Sequence, residues 1–183
     1  MMFTKIRKRI GIYLLNRKMR KHQRTIRSMN LKDAKSIALI FNSKDNLSLK
    51  LVKDFTHEYR SKGINVEALG FTHKRKQDEI HISNDYFNFV NKNDFTYFYQ
   101  PKSAVVKDFI NKHFDVFIVI YPKDHIQIRS ITNLSPATLK VGNEALNHHT
   151  FDLSIETDPH DVELMFENAL LYLKKITTTQ YES

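Results

Sequence analysis

The segment Phe114–Pro122, FDVFIVIYP, leaves this chain little choice of fold. It is apolar nearly throughout, without the alternation of a half-wetted strand or the spacing of an amphipathic helix. It reads as a strand buried on both faces, as a central strand of a parallel sheet must be. The neighbouring segments agree. SIALIF (Ser36–Phe41) and INVEALGF (Ile64–Phe71) read as further buried strands, with TLKVG and FDLSIE after them. Between the first two lies NLSLKLVKDFTHEYRSKG, whose Leu47, Leu51, Val52, Phe55 and Tyr59 recur at helical spacing and whose Gly63 marks the stop. The aromatic stretch Asp85–Gln100 predicts a short strand and then a loop. Pro101 is expected to open a helix with Val105, Val106, Phe109 and Ile110 turned inward. A short helix is expected over His125–Ser135. The last helix is expected to have Asp158 as N-cap, Pro159 at its first position, Asp161 at its third, and Leu164, Ala169, Leu170 and Leu173 on its apolar side.

Strands alternating with helices imply an α/β fold: one three-layer domain with a mainly parallel, Rossmann-like sheet, preceded by a basic N-terminal helix. The expected boundaries are a basic helical arm over residues 1–32, the α/β domain over 33–176 and a frayed tail over 177–183.

Charge sets the arm apart. Residues 1–35 hold twelve Lys or Arg against one acid, Asp33, for +11; residues 36–183 hold seventeen against nineteen, for −2, which closes on the net +9. Met2 to about Met29 has no proline and one glycine, Gly11, and is expected to be helical, with a weak point between Gly11 and Asn16. Ten cations, Lys5, Arg7, Lys8, Arg9, Arg17, Lys18, Arg20, Lys21, Arg24 and Arg27, fall on several sides of such a helix. Phe3, Ile6, Ile10, Tyr13 and Leu14 form a narrow apolar stripe on it.

A cationic arm on a near-neutral body is the pattern of contact with a polyanion. Cations on several sides, six of the ten being arginine, favour folded RNA or the ribosome as partner. The aromatic run Tyr86–Tyr99 offers rings for stacking on bases, against a core role for Phe87, Phe89 and Phe95. The alternative partner is an anionic membrane surface. A helix that merely docks its stripe on the body stands as the bland alternative.

Catalytic chemistry is poorly represented. There are no cysteines, which excludes disulfides and thiolate chemistry and fits a cytoplasmic location. Ile12–Leu15 is too short for a signal-peptide core, and no apolar run is long enough to span a bilayer. The four glycines form neither a dinucleotide fingerprint nor a P-loop. No nucleophile elbow occurs. The nine histidines, the adjacent pair His148 and His149 included, lack zinc-site spacing. Asp115 reads as a structural residue at a strand start. The expectation is a non-catalytic binding protein with no metal or cofactor. If the sheet carries a ligand pocket, it belongs beyond the strand ends at the switch point, where Asn42, Ser43 and Lys44 would meet Tyr121, Lys123, Asp124 and Gly142.

The segments KSIALIF, INVEALGF, PKSAVVKDFINKHFDVFIVIYP, LSPATLKVG and FDLSIE, behind a basic helix, resemble an uncharacterised bacterial family typical of Bacteroidota that carries a domain of unknown function. A weaker likeness is to the N-terminal half of two-domain sugar transferases of the heptosyltransferase kind, where FDVFIVI, a helix and LKVG have a counterpart. The half that holds most of the donor-nucleotide site has none here. That likeness implies, as a further alternative, a degenerate transferase-like domain that binds a nucleotide or nucleotide-sugar.

Overall fold

The computed structural model describes residues 2–21, 23–73, 83–146 and 150–178. Strands β1 (Ser36–Asn42), β2 (Asn65–Thr72), β3 (Phe87–Asn91), β4 (Val116–Ile120), β5 (Leu139–Asn143) and β6 (Leu153–Ile155) form one sheet in the order β3-β2-β1-β4-β5-β6. Every pairing is parallel. The order reverses between β1 and β4, which lie side by side with Ile37 opposite Val116 and Phe41 opposite Ile120. Helices α1 (Met2–Met19), α2 (Asn46–Ser61), α3 (Ala104–Asn111), α4 (Ile126–Leu134) and α5 (Val162–Lys175) complete three layers. The α/β, Rossmann-like architecture read from the sequence is the one found.

The core is divided by the sheet. Ile37, Leu39 and Phe41 of β1 point with Val116, Ile118 and Ile120 of β4 toward α2 and α5. Ala38, Ile40, Phe117 and Val119 point the other way, toward α3, α4 and Leu15 of α1. Side chains that alternate across a strand buried on both faces make both sets apolar, which explains the unbroken apolar runs. Local chemistry fixes the ends. Asp45 caps α2 by accepting from Ser48 N at 2.9 Å, and Gly63 follows that helix at φ 82°, a left-handed conformation that suits glycine. Asp115 has the structural role expected of it: its Oδ2 accepts from Lys35 N at 2.8 Å and Ser36 N at 3.0 Å, tying the start of β1 to β4.

Several expectations are corrected. The basic helix ends at Met19, not near Met29, and it runs unbroken through Gly11. Residues 23–30 instead cross the amino edge of the sheet without regular secondary structure. Arg24 donates to Ala137 O at 2.7 Å and pairs with Asp152, and Arg27 N donates to Thr138 O at 3.4 Å. Met29 and Leu31 then enter the core on the α2/α5 side. These bonds and that burial outweigh the helix propensity of the segment. Helix α3 is capped by Ser103 rather than opened by Pro101, which sits in an isolated antiparallel bridge with Phe95; Val105 faces solvent. Asp161, not Asp158, caps α5, and Leu164 is exposed. The charged segment THKRKQDE, which reads as a loop after β2, falls largely outside the described residues, as do the His148–His149 pair and residues 179–183 of the tail.

Candidate functional site

Two features bring chemistry together, the outer side of α1 and the carboxyl edge of the sheet. Among the α1 residues whose burial is described, Gly11 and Leu15 are the buried ones, and they seat it on α4 and on the segment after β3. A β-carbon at Gly11 would lie 2.7 Å from Phe98 O and 2.9 Å from the Tyr99 ring, so glycine is what allows the approach. Gln100 Nε2 donates to Gly11 O at 3.3 Å across the seam. At about 100° per residue, Phe3, Ile6, Ile10 and Tyr13 lie roughly 140° around the helix from the seated face. All four are exposed, Phe3 at 78 % and Tyr13 at 65 %.

The ten cations separate into two groups. Lys5, Lys8, Arg9, Arg17, Lys18, Arg20 and Lys21 are exposed. Arg7, Arg24 and Arg27 are half-buried. Arg7 lays its guanidinium over the rings of Tyr97 and Tyr99, at 4.7 and 4.2 Å. Arg24 is occupied by Asp152 and Ala137 at the other end of the sheet.

At the strand ends, the residues expected to form a pocket are dispersed. Asn42 Oδ1 accepts from Lys44 N at 3.1 Å, closing a turn. Ser43 is buried, its N donating to Phe71 O at 3.1 Å. Tyr121 packs beside Phe71 and His125, and burial pushes its hydroxyl up to about 12. Gly142 lies under the ring of Phe151, 2.3 Å from where a β-carbon would stand. Lys123 borders a small recess with Asp124 and His125. Aromatic rings thus fill the crevice over β1 and β4.

The groups that do converge lie one strand further over. His73 follows β2, His125 precedes α4, and their rings stack with centroids 4.6 Å apart. Burial lowers the pKa of His73, with Lys92 and Arg7 adding to the effect. Burial also lowers His125 to about 4, helped by His73, Lys123 and Lys92 and opposed by Asp124. Both imidazoles are therefore neutral at pH 7, in a positive field. Beside them is a cavity of about 480 Å³, bordered by Arg7, Lys92, Thr96, Tyr97, Lys102 and Gln127. Tyr99, on its wall, adopts φ 63°, a left-handed conformation uncommon outside glycine. The sequence held one signal for this place, the lysines that flank the aromatic run in KNDFTYFYQPK.

A second cavity, about 550 Å³, lies between α2 and edge strand β3, with Phe87 and Phe89 on its wall and Arg60 stacked 4.2 Å over Tyr86. Among the described residues no group of three or more His, Asp or Glu is placed to hold a metal. No helix of the described residues is long and apolar enough to cross a membrane.

No curated protein and no solved structure matches the chain. A family model does: it matches residues 7–176, from the second turn of α1 to just past α5, and by that match the chain belongs to a family of unknown function (DUF6913).

Proposed function

We propose that the protein is a non-catalytic, peripheral protein of an anionic lipid surface, seated by the outward side of α1. The observation that carries this reading is the exposed stripe Phe3, Ile6, Ile10 and Tyr13, turned away from the body. Lys5 and Arg9 lie along one side of the stripe and Lys18 along the other, by helical position. An in-plane helix of this type sinks its apolar stripe to the acyl boundary and leaves flanking cations among the headgroups. Full burial of a large apolar side chain contributes about 1.5–3 kcal/mol, and each cation at an anionic surface about 1 kcal/mol. The body sits on the opposite side of the helix, where it does not obstruct the contact.

Folded RNA is the second reading, favoured by the seven exposed cations on α1 and in the turn just after it. It leaves the apolar stripe in water, which is why it ranks second. Flotation with phosphatidylglycerol-containing vesicles separates the two. Binding to these and not to neutral vesicles, reduced at least about tenfold by Phe3→Ser with Ile10→Ser, is the expected result. Absence of flotation, together with salt-sensitive co-sedimentation with ribosomal particles that survives the double substitution, overturns the lipid reading. With about six phosphates neutralised, RNA binding would show a log–log salt slope of about −4 to −5.

A further inference from the structure

We propose that the cavity between the N-terminal half of α1 and the segment after β3 binds a phosphate monoester, carried by a small molecule or by a lipid headgroup. Three cations from two parts of the chain converge there: Arg7 from α1, and Lys92 and Lys102 from the segment that follows β3. Among the described residues no Asp or Glu lines the cavity, and none of the three cations makes an ion pair. Cations gathered without a counter-charge repel one another until an anion enters. A phosphate monoester brings about −1.5 to −2 charges and three acceptor oxygens, where a carboxylate brings a single charge. An arginine and two lysines meet that demand with one planar fork and two mobile donors.

Buried polar groups point the same way. Gln127 is 3 % exposed and lines the cavity, yet no hydrogen bond reaches its side chain among the described residues. Arg7 Nε is buried and has no partner there either. Buried donors are normally satisfied, and an oxyanion in the cavity satisfies both kinds. The volume of about 480 Å³ lies within the range of small-molecule sites. The position is the carboxyl edge of a parallel sheet, where such folds place ligands.

The site is distinct from the stripe on α1, and the test keeps the two apart. The full-length, isotope-labelled protein is titrated by NMR with inorganic phosphate and with adenosine monophosphate. Vesicles containing phosphatidic acid, a monoester, are compared with vesicles containing phosphatidylglycerol, a diester. The expected result is saturable shifts at Lys92, Tyr97, Lys102 and Gln127 with a soluble monoester, or tighter binding to phosphatidic acid than to phosphatidylglycerol. Either preference is weakened at least about tenfold by Lys92→Ala with Lys102→Ala. Saturation by the soluble probes assigns the site to a free metabolite, and preference for phosphatidic acid alone assigns it to a headgroup. Phosphatidylglycerol binding within about twofold of the wild type in that variant shows the α1 contact intact. No saturable response to any monoester at millimolar concentration, or one unchanged in the double variant, overturns the proposal.

Discussion

Lys140 occupies an unusual place for its charge. It is 2 % exposed on β5, beside Arg24 and Asp152. Burial first, and Arg24 second, lower its amine from 10.5 to about 7, while Asp152 pulls it up. The unfolded chain therefore binds one proton more than the native state between those pH values. Stability should rise with pH across that window, by up to about 1.4 kcal/mol per unit from this group. Denaturant titrations at pH 7 and pH 9 check this, and Lys140→Met should flatten the rise; an unchanged slope in the variant refutes it. Gly11 gives a prediction of sign. Alanine favours a helix interior by about 1 kcal/mol over glycine. Its β-carbon would also stand 2.7 Å from Phe98 O, a backbone atom. Overpacking of that kind costs about 1–3 kcal/mol, so Gly11→Ala should lower the melting temperature, and a rise would show the seam to be looser than described. In the sequence Gly11 is legible as a helix glycine and reads as a weak point, because the contact that needs it comes from Phe98 and Tyr99, which no local pattern relates to it.

At the scale of elements, what the sequence revealed follows burial. Strands β1 and β4 are buried along nearly their whole length, and continuous apolar runs announce them without any partner in view. Helix α1 announced its charge and its stripe but not its end. The stop after Met19 depends on Asp152, 128 residues away from Arg24, and on Leu173, whose carbonyl accepts from Leu31 N at 2.9 Å. The same distance problem dispersed the expected pocket. Topology located the crevice between β1 and β4, but Phe71, Tyr121, His125 and Phe151 fill it from three separate segments. The seating of α1 can be measured by Leu15→Ala. Leu15 is 1 % exposed, and truncating a core leucine costs about 2–5 kcal/mol. Removal of residues 1–21 should leave a folded body, since Met29, Leu31 and the rest of the α2/α5 core remain. Removal of residues 1–31 should destabilise it markedly further, because Met29 and Leu31 go with the arm. Equal thermal unfolding of the two truncations would refute that difference.

For the whole molecule, the sheet sets the pace. All five strand pairings are parallel, so each waits on a crossover, and such non-local contacts make folding slow relative to helical proteins of the same size. The seat of α1 is assembled from parts that come late. Gln100, which donates to Gly11 O, follows it by 89 residues, and Ala137, which accepts from Arg24, follows by 113. At about 5–20 residues per second, the first of these gaps lasts roughly 4–18 s of synthesis. Through that interval the growing polypeptide presents its cationic, apolar leading segment with nothing of its own to rest against. The segment we propose to meet an anionic surface is thus available to one before the body that will carry it has been made.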